Sequence, residues 1–299
     1  MNDRVSGDRL VEPSSAGVML RKRGGKIGFS ALVLLVVVIT AFPIYWIAVS
    51  AFRPSSGSTH YPPSLFPNSF TASAFRLLFD RQPIARWLWN STFIAIIATA
   101  ICVVLAVLGA YTLSMMSWRG RTVFAVFLLV TQMLPETLIV VPIFRIFTDI
   151  PIFHWDLRNQ LPALSLLDVA FILPIAIWIL KNLFDTVPRE VLEASRVDGA
   201  GPFRMLFEII LPMTLPGLVA VGVVAFFYAW NEYLFAQLMT TDKALYTASV
   251  GLASLKTMLD TPIEQVLAAG LLFSVPPVLF YVLMQRYIVA GITAGAVKG

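Results

Sequence analysis

The sequence predicts an all-α protein that crosses a membrane six times, and three observations carry that expectation. Hydrophobic residues make up 58% of the 299 and charged residues 13%, with a mean hydropathy of +0.80; soluble domains run to about 45–50% apolar and about 25% charged. Six apolar stretches approach the roughly 20 residues that a helix needs to cross a hydrocarbon core of about 30 Å. Lysine and arginine are shared unevenly among the segments between those stretches, the usual mark of membrane topology.

The first stretch, 27–50, follows "RKRGGK" and runs "IGFSALVLLVVVITAFPIYWIAVS". It exceeds the roughly 7–15 apolar residues of a signal peptide, so a retained helix is expected after a basic tail, 1–26. The second, 87–116, contains the chain's single cysteine, Cys102, which excludes an internal disulfide and is expected to pack between helices. The third is 122–144. The fourth, 161–181, is interrupted by Asp168, yet "ALSLLDVAFILPIAIWIL" has the length, and Pro174 is tolerated inside a membrane helix. The fifth and sixth are 213–237 and 264–288, which leaves a short C-terminal tail, 289–299.

Counting Lys and Arg by segment places both termini in the cytoplasm. Fourteen of the 22 fall on the inner side, among them Arg21, Lys22, Arg23 and Lys26 ahead of the first stretch and Lys181, Arg189, Arg196 and Arg204 between the fourth and fifth. The outer segments are then 51–86, 145–160 and 238–263. A formal charge of +5 distributed in this way needs no nucleic-acid partner, and "GVMLRKRGGK" is expected to meet anionic lipid.

One inner segment differs in composition from everything around it. "EVLEASRVDGAGPFRMLFEIILP", Glu190 to Pro212, carries both charge signs, two glycines and two prolines. Pro188 suits the first turn of a helix, and Glu190 and Glu193 lie near the end where the helix dipole favours acids. Ala194 and Ser195 are small enough to let another backbone come close. Gly199 and Gly201 permit a sharp reversal before Pro202 starts a second short helix. On that helix Phe203, Leu206, Phe207 and Ile210 fall at i, i+3, i+4 and i+7, an apolar ridge facing cytosol. Such a ridge suits a groove on a partner; a helix pair lying in the lipid headgroups and a plain connector are the readings the residues leave open.

The same residues resemble the cytoplasmic signature of permease subunits in binding-protein-dependent ATP-binding-cassette importers: Glu-Ala-Ala, three residues, Gly, nine residues, Ile, any residue, Leu-Pro. Glu193, Ala194, Gly199, Ile209, Leu211 and Pro212 match at that spacing, with Ser195 in place of the third-position alanine. "FFYAWNEYLFAQL" in the fifth stretch and the ending "QRYIVAGITAGAVKG" look like the second permease of maltose-type carbohydrate importers. The resemblance covers the chain from the first stretch to the last residue and leaves the tail before Lys26 unmatched.

That resemblance implies the six-helix permease architecture of type I importers and a mechanism. The loop 182–212 would be a coupling element seated in a cleft of a cytoplasmic ATPase dimer, whose closure on ATP swings the permease from inward-facing to outward-facing. Glu193, Ala194, Ser195, Asp198, Gly199, Phe203, Leu206, Phe207, Leu211 and Pro212 would make or shape that contact. Gly199 would set the helix angle. The tail with Gly291, Gly295 and Lys298 would reach between the ATPase subunits and be ordered only by them. Further implied partners are a second, non-identical permease, an extracytoplasmic sugar-binding protein, and a carbohydrate, polyol or glycerol-phosphate substrate, all at a bacterial plasma (inner) membrane. The loop 238–263 would probe the binding protein's cleft.

The chain lacks a nucleotide site of its own by motif. A phosphate-cradling loop needs Gly-Lys followed by Ser or Thr, and Gly25-Lys26 is followed by isoleucine, so ATP and magnesium are expected on a partner. His60 and His154 lie in separate outer loops without metal-ligand spacing, and no catalytic triad is suggested by position, so no enzyme activity and no metal are expected. Three acids stand within or beside the spans: Glu136 in "QMLPETLIVVP", Asp168 in "LLDVAF" and Glu232 in "WNEY". Ionisable groups at membrane depth usually face a protein interior or a watery path, while a bond to a neighbouring helix is the structural alternative. Trp230, Asn231 and Glu232 together offer an aromatic face, an amide and an acid, groups that a sugar can use. An ion-coupled secondary transporter working through Glu136, Asp168 or Glu232 is the competing function, but no inverted repeat relates the two halves. A membrane scaffold without transport would leave the acids unexplained.

Overall fold

The computed structural model describes residues 15–54, 65–66, 69–149, 156–257 and 261–296, and within these the side chains of 28–287. The expectations placed on His60, His154 and Lys298 lie outside the described residues. Five helical stretches have the length and apolarity to cross a bilayer: Gly28–Ala51, Ile84–Met115, Leu161–Phe184, Pro202–Asn231 and Ile263–Tyr287. No strand occurs among the described residues.

The expected third span is not one helix. Helix α4 (Arg121–Thr131) stops and α5 (Glu136–Thr148) restarts at an angle of 99°. Pro135 explains the break, because it has no N–H to continue the ladder and it drives the preceding residue out of helical conformation. Counted as one broken span, the pair brings the crossings to six. The break is tied to a neighbouring span: the Gln132 side chain donates to the Phe171 carbonyl of α6 (Leu161–Phe184) at 3.2 Å.

Other boundaries also move. Helix α1 (Ser15–Ala51) begins inside the expected tail, so its backbone is helical ahead of the span. The helix of the sixth expected span, α12 (Ile263–Ala296), carries Gly291 and Gly295 in its last turns, where an unstructured tail was expected. The supposed second short helix of the 190–212 segment is the start of the fifth span. A single turn, α8 (Pro202–Arg204), passes through a π-helical turn, Met205–Ile210, into α9 (Leu211–Asn231) without interruption. Such wide turns gather at functional positions in helices. At the other end α9 stops at Asn231, six residues short of expectation, and a new helix, α10 (Leu234–Met239), follows.

Helix α3 (Ile84–Met115), which follows the short α2 (Ser73–Arg81), is the centre of the bundle and packs on α6 and α9, while α12 packs on α9 and α1. Its buried face is built from small residues: Ala95, Ala98, Cys102, Ala106 and Ala110 are fully enclosed. Apolar lipid gives helices no hydrophobic reason to associate, so close backbone approach over small side chains is what holds membrane helices together. Gly217 of α9 extends this logic, since a Cβ there would collide with Leu183 of α6. Hydroxyls within the spans bond back to their own helix, as Thr92 does to the Leu88 carbonyl and Thr214 to that of Ile210. Helix α1 is the opposite case: Leu32, Leu34, Ile39 and Ile44 are all exposed, which costs nothing against lipid tails.

Candidate functional site

Two regions at opposite ends of the bundle gather the sequence-predicted residues. At one end, α7 (Arg189–Val197) starts after Pro188, carries Glu190 in its first turn and ends on Gly199. Gly199 has φ +79°, the left-handed conformation; its N–H donates to the Arg196 carbonyl at 3.1 Å and the Ala200 N–H to that of Ser195 at 2.9 Å. That pair of bonds is the Schellman closure, and it needs a residue without a Cβ penalty at this position. Gly201 is different: its extended backbone is open to any residue, and Pro202 then begins the next helix.

Burial divides the predicted apolar ridge. Leu206 and Ile210 are enclosed in the bundle core with Met205, whereas Phe203 is 76% exposed and Phe207 57%. The expectation of one four-residue seated surface is therefore corrected. Because the helix is continuous with a span, one side of it must pack inward, and only the other side remains available. Val197, 87% exposed, adds a third apolar side chain at this end. Among the remaining loop residues, Glu193, Ala194, Asp198 and Pro212 are exposed and Leu211 half-buried, while Ser195 is buried with its hydroxyl donating to the Leu192 carbonyl at 2.8 Å. The loop is anchored nearby. Asp185, just past α6, accepts from Lys181 and from Ser114 of α3; burial pushes its carboxyl up, but these two bonds outweigh it and hold the group below the usual carboxylate range.

At the other end the structure brings the three acids together. Glu136 opens α5, Asp168 is enclosed within α6, and both lie within electrostatic reach of Glu232, with the Tyr228 hydroxyl donating to Glu136. Glu232 is committed to the backbone: its two carboxylate oxygens accept from the Phe235 N–H at 2.7 Å and the Ala236 N–H at 2.9 Å, capping α10 after the break in α9. Acceptance from the otherwise unpaired amides at a helix start is a structural role, and it differs from the bond to a neighbouring helix that stood as the structural alternative.

Trp230 and Asn231 face a different space. Together with Tyr233, Ser249, Phe273 and Ser274 they line a cavity of about 420 Å³ between the end of α9, α11 (Ala248–Thr257) and α12. The Trp230 ring stacks on Phe226 at 5.9 Å, and Phe226 on Phe280 at 4.0 Å, so the aromatic wall is braced from behind. Asn231 donates to the Phe227 carbonyl at 2.8 Å and is exposed. Sequence reasoning missed Tyr233, Ser249 and Ser274, since nothing in their spacing relates α9 to α11 and α12. It also missed Trp87, Asn90, Ser91 and Asn159, which hold the segment between α10 and α11; the Asn-Ser pair within the apolar run "WLWNSTFIAII" was the available signal.

The pattern of the family described as "binding-protein-dependent transport system inner membrane component" matches residues 102–294. The chain belongs to that family. Relatives agree along nearly the whole length. The inner membrane ABC transporter permease protein YcjP of Escherichia coli is 33% identical over 92% of this chain and 97% of its own. The trehalose transport system permease protein SugB of Mycobacterium tuberculosis is 32% identical over 91% and 97%, and the trehalose/maltose permease MalG of Thermococcus litoralis is 33% identical over 89% and 94%. Among solved structures, a chain of a bacterial ABC transporter for import of the acidic polysaccharide alginate superposes with a TM-score of 0.74 at 20% identity, covering 89% of this chain and 97% of the other. The all-α permease fold is thus common to both.

Proposed function

We propose that this chain is one of two permease subunits of an ATP-driven importer for a carbohydrate, with both termini in the cytoplasm and the cavity on the outer half of the path. The observation that carries the substrate class is the cavity lining. A braced indole, a phenol, an amide and two hydroxyls offer a flat apolar face beside hydrogen-bonding groups, the combination that sugar rings with polar edges require. The relatives named for trehalose and maltose transport support the same class.

In this reading the chain supplies half of the path and no catalysis. ATP and magnesium bind a separate ATPase dimer, and an extracytoplasmic binding protein delivers the sugar. The exposed Val197, Phe203 and Phe207 seat in the ATPase. Their movement is passed to the path because α8 and the π-helical turn are continuous with α9, whose far end carries Trp230 and Asn231.

The test is uptake of radiolabelled trehalose, maltose and sn-glycerol 3-phosphate by cells carrying the importer with Asn231→Ala or Ser274→Ala. Each loss of a net hydrogen bond, about 1 kcal/mol, is expected to raise the half-saturating concentration roughly fivefold without changing the amount of assembled complex. Unaltered uptake of the transported probe, or uptake driven by an ion gradient without ATP, contradicts the reading.

A further inference from the structure

The polar groups that line the cavity have committed most of their hydrogen-bond donors to the protein itself. Ser249 Oγ donates to the Glu232 carbonyl at 2.6 Å, Ser274 Oγ to the Leu271 carbonyl at 2.7 Å, and Asn231 Nδ2 to the Phe227 carbonyl at 2.8 Å. A serine has a single O–H, so these two hydroxyls have only lone pairs left for a ligand, while Asn231 keeps its carbonyl oxygen and one N–H. The Thr247 hydroxyl lies 2.9 Å from that of Ser249; with the Ser249 proton on Glu232, Thr247 is the donor and one Ser249 lone pair remains. The donors left over are the second Asn231 N–H, the Tyr233 O–H and the Trp230 indole N–H, all neutral. Among the described residues, neither Lys nor Arg lines the cavity.

This inventory discriminates between sugars by charge. A sugar hydroxyl both gives and takes a hydrogen bond, whereas an ionised carboxylate only takes, and a phosphate adds further acceptor oxygens with its charge. Accepting from a sugar O–H leaves every bond of Ser249, Ser274 and Asn231 intact. Donating to an anion would require each serine to give up its carbonyl bond for the new one, with little net gain. The free lone pairs would otherwise meet those of the anion, and an anion taken from water needs a cation or several donors in return. The neighbouring face of α9 adds no attraction. Glu136, Asp168 and Glu232 stand together there, and their described hydrogen-bond donors are the Tyr228 hydroxyl and the Phe235 and Ala236 N–H groups, with no Lys or Arg among them. Ionised or protonated, these acids offer an anion nothing.

We propose that the cavity is a charge filter within the sugar class: through the lone pairs of Asn231, Ser249 and Ser274 it accepts uncharged, hydroxyl-rich sugars and rejects those that carry a carboxylate or a phosphate. This rests on the cavity being part of a sugar path, as proposed above, and narrows the cargo within that reading.

The experiment is ligand-observed saturation-transfer NMR on the assembled importer in nanodiscs, without its binding protein, so that selection by a receptor does not enter. The probes are two matched pairs, trehalose with trehalose 6-phosphate and glucose with glucuronate; binding that Asn231→Ala removes is assigned to this cavity. In the wild type the uncharged member of each pair is expected to bind at least roughly tenfold more tightly than its anionic counterpart. Ser274 is exposed, so a longer side chain fits there, and Ser274→Lys, which puts a cation where a lone pair stood, is expected to narrow both gaps severalfold. Equal affinity within a pair in the wild type overturns the filter and leaves the sugar reading standing. Gaps that an assembled Ser274→Lys importer leaves unchanged also overturn it, since they would reflect size or shape and not charge. Silence from all four probes at this cavity overturns the sugar reading and the filter with it.

Discussion

Gly199 shows how much a single backbone conformation can carry. Its φ of +79° closes α7 through two main-chain bonds, and a Cβ at that position would meet nothing within 4 Å. Substitution is therefore penalised by backbone strain alone, about 1–2 kcal/mol for alanine. Gly199→Ala is expected to accelerate hydrogen exchange at residue 199 and Ala200 by roughly 5- to 30-fold, and Gly199→Asn by less, since asparagine tolerates this region. Equal protection in all three would mean that the turn is held by something other than the Schellman bonds. The need for glycine here was legible in the sequence, because a glycine between two amphipathic stretches has few other uses. The function of Glu232 was not. An acid beside a tryptophan and an asparagine suggests a binding site, but the break in α9 leaves amide groups that an acid one turn earlier is placed to cap, and that break has no proline or glycine to announce it.

At the scale of elements, apolar length located the spans and misjudged where helices join. The i, i+3, i+4, i+7 spacing from Phe203 to Ile210 correctly marks a helix with an apolar side. It does not say whether that side faces a partner or the chain's own core, and the answer turns on continuity with α9. Leu206 and Ile210 face inward, Phe203 and Phe207 outward. The two classes separate experimentally. Phe203→Asp with Phe207→Asp is expected to leave the thermal stability of the detergent-solubilised chain within about 0.5 kcal/mol per site while abolishing co-sedimentation with the ATPase; Leu206→Asp buries an unpaired charge and is expected to cost several kcal/mol. Comparable destabilisation by both would place the phenylalanines in the core. The 99° break between α4 and α5 was signalled by Pro135, yet a proline within a span also predicts nothing more than a kink, so sequence alone could not choose between them.

For the whole molecule, composition and the loop signature were enough to give the six-crossing permease, because hydrocarbon thickness and backbone satisfaction leave few alternatives. The cavity was out of reach, since it depends on which segments meet α3, α9 and α12, and the bonds from α3 to the segment ahead of α11 join residues more than 150 positions apart. The central claim is that an external ATPase moves a path formed by this chain and a second permease. Affinity purification of the chain from its native membrane in mild detergent, followed by identification of every co-purifying subunit, tests that claim most directly. An ATPase, a second permease and ATP hydrolysis stimulated by a sugar-loaded binding protein are the predicted result. A chain that purifies alone and still transports in liposomes without ATP would contradict it, and would move attention to Glu136, Asp168 and Glu232 as ion-coupling groups.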